Sequence, residues 1–167
     1  MARVYVSIGS NIDRERQVRE GVRRLAEAYG PLVLSPVYET AAIGFEGEDF
    51  YNLVAAFDTD ETPAEVVERL HAIEAACGRR RGGPRFAPRT LDIDLLLYDD
   101  RIMDSGGVQI PREEITRHAF VLKPLADLAP DAVHPLTGES FAAMWAAFDA
   151  SGQRLRRIDF DPAADLP

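Results

Sequence analysis

The stretch LDIDLLLYD, residues 91–99, constrains the fold more than any other part of the chain. Its first half alternates, with Asp92 and Asp94 one residue apart, and its second half is continuously apolar through Leu95, Leu96 and Leu97. Alternation at period two marks a strand, and a run apolar on both faces marks one covered on both sides. The expectation is therefore a strand, central in its sheet, whose two carboxylates leave the same face with α-carbons about 6–7 Å apart. At that spacing two charges repel by about 2–3 kcal/mol at an effective dielectric of about 20, so a cation between them would stabilise the pair.

The neighbouring elements can be read outward from this strand. ARVYVSIGS alternates and reads as an opening strand, followed over residues 13–29 by an amphipathic helix with Asp13 at its cap position. LVLSPVYET reads as a second strand, with Pro36 marking an edge or a bulge, and FYNLVAAFDT as a third. TPAEVVERLHAIEAACG is a helix with Thr62 at the cap, Pro63 in the first turn, Glu65 in capping-box position and Gly78 at the end. After VQIP the spacing predicts one or two helical turns and a short helix, a further helix over 138–149, and a last short strand in RLRRIDF. The order β-α-β-β-α-β with additional C-terminal helices is the ferredoxin-like α+β arrangement, a sandwich in which helices cover one antiparallel sheet. At 167 residues, with no compositional break, the chain reads as a single domain over 1–167.

Composition narrows the function. A net charge of −9 argues against a nucleic-acid binder, and no window reaches the roughly 18 apolar residues of a membrane span. The opening MARVYVSIGSN lacks the apolar segment of a secretory signal, so the expected location is the cytoplasm. Cys77 is the only cysteine, which leaves no disulfide framework and no cysteine-rich zinc site. Against the acidic background, RRRGGPRFAPR over residues 79–89 gathers Arg79, Arg80, Arg81, Arg85 and Arg89 without one acid. Planar guanidinium forks match phosphate oxygens, and a pair of hard carboxylate ligands without histidine or cysteine favours magnesium completed by water and phosphate. Arginines leading directly into a D-x-D strand are the two parts that phosphoryl transfer needs. Alone, D-x-D is a common match and an arginine run is commonly a solvated patch.

The string RFAPRTLDIDLLLYD resembles the signature of the 6-hydroxymethyl-7,8-dihydropterin pyrophosphokinase family. VYVSIGSN, SPVYETAAIG, DFYNLVAAF and FVLKPLADLAPDAVHP resemble further segments of it, in the same order across most of residues 2–140. The resemblance implies transfer of pyrophosphate from ATP to the hydroxymethyl group of a reduced pterin, with two magnesium ions, on a ferredoxin-like scaffold and for folate biosynthesis. It implies that Asp92 and Asp94 hold both metals, and that Arg79 and Arg89 grip the triphosphate and act in catalysis. It puts Glu74, Arg81, Phe86, Leu95, Arg112 and His118 at nucleotide-facing positions. Phe50 and Phe120 fall where two aromatics sandwich the pterin ring, Asn52 where an amide reads its polar edge, and Thr40 and Ile43 where the backbone touches it. The implied partners are small molecules only, for a monomer or weak homodimer.

The family usually carries histidine after the proline of IP and arginine just before AF. Here those positions are Arg112 and His118, as though the two had been exchanged. That leaves a second reading, a pterin-binding relative with altered nucleotide use or one serving another pterin cofactor. A sheet-based RNA module is a third, opposed by the net charge and by the absence of an aromatic RNA-binding string.

Overall fold

The structure, a computed structural model, describes residues 1–41, 49–78 and 91–164. The elements run β1 (Ala2–Ser10), α1 (Arg14–Tyr29), β2 (Val33–Leu34), β3 (Val37–Thr40), β4 (Phe50–Thr59), α2 (Pro63–Ala76), β5 (Asp92–Tyr98), β6 (Met103–Ser105), β7 (Val108–Ile110), α3 (Glu114–Arg117), α4 (Ala119–Leu128), α5 (Phe141–Ala147) and β8 (Leu155–Ile158). The main sheet has the order β5-β1-β4-β3-β8, with β2 also on β4 and every pairing antiparallel. This is the expected ferredoxin-like order, extended by β8 on the far side of β3.

Helices cover both faces of the sheet. Val18, Val22 and Leu25 of α1 and Val66, Leu70 and Ile73 of α2 pack with Val4, Val6, Phe57, Ile93 and Leu95 in the larger core. On the opposite face Val121, Leu122 and Leu125 of α4 and Phe141 of α5 pack on Val54, Leu96 and Leu97. The second helix is capped as its sequence requires. Glu65 N–H donates to Thr62 Oγ1 at 3.2 Å, and Thr62 N–H donates to Glu65 Oε1 at 3.1 Å. Asp13 stands at the cap position of α1 with φ 48°, and its side chain makes no capping bond.

Three expectations are corrected and a hairpin is added. The strand β5 lies at the sheet edge rather than at its centre. Its apolar second half is buried on both sides because α2 lies against one face and α4 against the other. A bulge against Tyr5 and Val6 shifts the register there, putting Leu95 in one core while Leu96 and Leu97 enter the other. The second strand is two short ones. Ser35 interrupts it, exchanging N–H···O bonds with Val54 through its backbone N–H and its Oγ, both at 2.9 Å. The segment around VQIP is a β6–β7 hairpin turning at Gly106 and Gly107, both with positive φ. The helix expected over 138–149 is confined to Phe141–Ala147.

Beyond α4, the turn before α5 is organised by His134. Its buried ring accepts at Nδ1 from the N–H groups of Leu136 and Thr137, at 3.1 and 3.3 Å, and meets Phe141 edge-on. Both bonds require a neutral Nδ1, and burial pushes the His134 pKa below its ordinary value. Because the folded pKa lies below the unfolded one, the stabilisation is fully present above about pH 6.5 and is lost as pH falls through the folded value. His134→Asn, whose amide oxygen can still accept, should therefore flatten the fall in thermal midpoint on acidification below neutrality. Parallel wild-type and variant curves of midpoint against pH would refute this.

Candidate functional site

The register of three strands assembles the site. Asp92 stands opposite Gly9 and Asp94 opposite Ser7, while Gly9 in turn stands opposite Asn52, and Asn52 opposite Tyr38. Residues directly opposite share a face, so one row crosses the sheet as Asp92, Gly9, Asn52 and Tyr38. Phe50 and Thr40, themselves paired, extend the same face by one step. The helix α4 lies across this face and contributes Phe120 and Val121, α3 contributes Glu114, and Arg112 stands two residues before α3. Together they line a cavity of about 260 Å³.

At one end of the cavity Asp92 and Asp94 stand side by side, both half-buried. An Arg112 NH2 nitrogen lies 3.7 Å from Asp94 Oδ1, and its Nε lies 2.9 Å from Glu114 Oε2. The guanidinium thus offsets part of the negative charge that the two strand carboxylates bring together. Among the described residues no three histidine, cysteine or carboxylate side chains cluster as a metal cage. Two adjacent carboxylates are a donor set suited to a hydrated divalent ion whose remaining positions go to water and phosphate oxygens.

At the other end stand the amide and the aromatics. Asn52 is buried, and its Nδ2 donates to Thr40 Oγ1 at 2.7 Å. Phe50 and Phe120, both half-buried, line the same space. The His118 ring stacks on Phe120, with centroids 4.8 Å apart and planes 17° apart. His118 therefore braces the aromatic wall, in addition to lining the cavity beside Arg112.

Of the residues expected from the sequence, Thr40, Phe50, Asn52, Asp92, Asp94, Arg112, His118 and Phe120 all meet at this cavity. Two do not line it. The Leu95 side chain is packed in the larger core. Glu74, almost fully buried on α2, accepts the N–H of Ile93 at 3.0 Å. That bond falls between the two aspartates, so Glu74 fixes the strand that carries them. Arg79, Arg81, Phe86, Arg89 and Ile43 lie outside the described residues, as do Arg80 and Arg85. Ser7, Gly9 and Glu114 were not anticipated. The signal for Ser7 and Gly9 was their alternation in SIGS, legible only once the register with β5 is known.

Comparison with known proteins decides the assignment. Residues 5–130 match the model of the 7,8-dihydro-6-hydroxymethylpterin-pyrophosphokinase family. The chain belongs to this family. Similar relatives are the 2-amino-4-hydroxy-6-hydroxymethyldihydropteridine pyrophosphokinases of Pseudomonas aeruginosa, 39% identical over 77% of this chain and 82% of that protein, and of Methylorubrum extorquens, 38% identical over 91% and 97%. The Aquifex aeolicus enzyme of the same name is 32% identical over 81% and 86%. In structure the chain is similar to wild-type HPPK-DHPS of Plasmodium falciparum, with a TM-score of 0.66 at 14% identity over 87% of this chain and 44% of that one. A second HPPK-DHPS, in complex with substrates, gives a TM-score of 0.71 at 12% identity over 90% and 43%. These solved chains are more than twice as long as the part matched, and at such identity the likeness concerns the fold.

Proposed function

We propose that the cavity is where pyrophosphate passes from ATP to the hydroxymethyl group of 6-hydroxymethyl-7,8-dihydropterin. The chain is an ATP-dependent pyrophosphokinase of folate biosynthesis. The observation that carries the assignment of parts is the row Asp92–Gly9–Asn52, which sets a carboxylate and a buried amide on one face, two strands or about 10 Å apart. That span fits a flat heterocycle at one end and the phosphates it receives at the other.

In this reading Asn52 takes the polar edge of the pterin, and Phe50 and Phe120 lie against its two faces, as aromatic side chains do against a conjugated ring. Thr40 steadies the amide, and Ile43 touches the ring through its backbone. Asp92 and Asp94 would hold two magnesium ions, which when bound neutralise phosphate oxygens and lower the pKa of the pterin hydroxyl. That oxygen, giving up its proton to water, attacks the β-phosphorus, the bond between the α-phosphate bridging oxygen and the β-phosphorus breaks, and AMP leaves with the bridging oxygen. Arg79 and Arg89 absorb charge on the transferred group, while Arg81, Phe86, Arg112 and His118 face the nucleotide. Glu74, on the nucleotide side, also holds the β5 backbone between the two aspartates. The enzyme works in the cytoplasm as a monomer or weak homodimer. No helix among the described residues is long and apolar enough to cross a membrane.

The test is a product balance. With ATP labelled in the γ-phosphate, magnesium and the pterin, the label should appear in a pterin diphosphate, with one AMP per product. ADP as the nucleotide product, or AMP without pterin diphosphate, would overturn the assignment.

A further inference from the structure

We propose that Gly9 determines specificity for the heterocycle, by leaving the space in which the Asn52 amide is held in a single orientation. The inference rests on the reading of Asn52 as the group that takes the polar edge of the pterin. Gly9 lies inside a regular strand, is buried, and is not among the glycines with positive φ. Nothing in its backbone requires glycine, and glycine weakens a strand by its lost entropy and missing side-chain contacts. Its reason is therefore space. A Cβ at this position would lie 2.7 Å from Asn52 Oδ1, well inside contact distance. The next nearest atoms are Tyr51 O at 3.7 Å and Asn52 Cγ at 3.8 Å, both at ordinary separation. A methyl group would thus strike one atom only, the amide oxygen.

That oxygen is not free to yield. The same amide is buried and donates from Nδ2 to Thr40 Oγ1 at 2.7 Å, so turning it away from Gly9 breaks or bends this bond. Gly9 and Thr40 act from opposite sides, one by absence of bulk and the other by a hydrogen bond. Between them they hold the amide in one plane. A site that reads an adjacent donor and acceptor on a ring edge depends on that orientation. Gly9 also separates Asn52 from Asp92 in the row, so its effect could in principle fall on either neighbour, and the experiment must tell them apart.

Binding of 6-hydroxymethylpterin and of a non-hydrolysable ATP analogue with magnesium is measured by calorimetry on the full chain. The proteins are wild type, Gly9→Ala, Asn52→Ala and the double variant. Gly9→Ala should weaken pterin binding about tenfold or more and leave nucleotide binding within about twofold. In the Asn52→Ala background the same change should add less than about twofold, because the atom it strikes is gone. Unchanged pterin affinity in Gly9→Ala, an equal loss of nucleotide binding, or additive losses in the double variant would overturn the proposal. Normal pterin binding by Asn52→Ala would instead refute the underlying reading of the amide. Should Gly9→Ala fail to fold, Thr40→Ala decides, since it releases the amide from the other side. It should lose pterin and keep nucleotide, and wild-type pterin affinity would overturn the proposal.

Discussion

Asp92→Ala is expected to cut AMP release by ~10³-fold or more, the scale of losing a principal charge-stabilising element of a transfer site, while pterin still binds. The reasons are local. Asp92 and Asp94 leave one face of β5 as the paired ligands available at that end of the cavity, and the described residues provide no third clustered ligand to replace one that is lost. Asn52 lies on the far side of Gly9, at a separation where effects of substitution become largely independent. Asp94 keeps Arg112 at 3.7 Å in the variant, and a thermal melt separates lost ligation from a lost fold. Asp92→Asn separates charge from shape: if ligation is the point, it should be nearly as inactive as alanine. Steady-state AMP release, pterin binding by fluorescence and a thermal melt together make the check. Turnover near wild type in either variant would refute the metal assignment.

The elements of the fold were largely legible because each announces itself locally. Thr62 with Glu65 marks the start of α2, and the period of two in ARVYVSIGS marks β1. Order in the sheet was less so. The run Leu95–Leu96–Leu97 states that both faces are covered, and sequence alone cannot distinguish a central strand from an edge strand between α2 and α4. The bulge at Tyr5 and Val6 hides the distinction further, since it breaks the alternation that an edge strand would otherwise display. Ser35 ends β2 by taking over a backbone position on β4, which no propensity predicts.

The site divides in the same way. Asp92, Asp94, Asn52 and the two phenylalanines were reached through residue type and family pattern. Gly9 carries no such local signal, because its meaning is relational: it matters only through what stands opposite it on both neighbours. Glu74 was expected at the nucleotide. Its burial and its bond to Ile93 N–H add that it supports the carboxylate strand. His118 is expected at a nucleotide-facing position, and its stack on Phe120 gives the exchanged histidine a second contact, with the aromatic wall.

Asn52→Ala carries the other large expectation: a rise of ~10²–10³-fold in the KM for pterin, from leaving a donor and an acceptor of the bound ring edge unpaired at about 1–3 kcal/mol each. The amide is buried, so water cannot readily take its place, and its bond to Thr40 Oγ1 holds it ready before substrate arrives. Nucleotide affinity should stay within about twofold, since the phosphate-binding end lies across Gly9. A rival account, that Asn52 merely stabilises the sheet, predicts a lower thermal midpoint and equal losses for both substrates. Asn52→Asp discriminates further. A carboxylate there could still accept from the Thr40 hydroxyl, which can turn to donate, so local packing would survive. It offers no N–H, however, and brings a charge to the edge of a neutral ring, so its KM for pterin should rise as steeply as that of the alanine variant. If aspartate binds pterin as wild type does, the amide's donor is not what the substrate reads, and the role given to Asn52 fails.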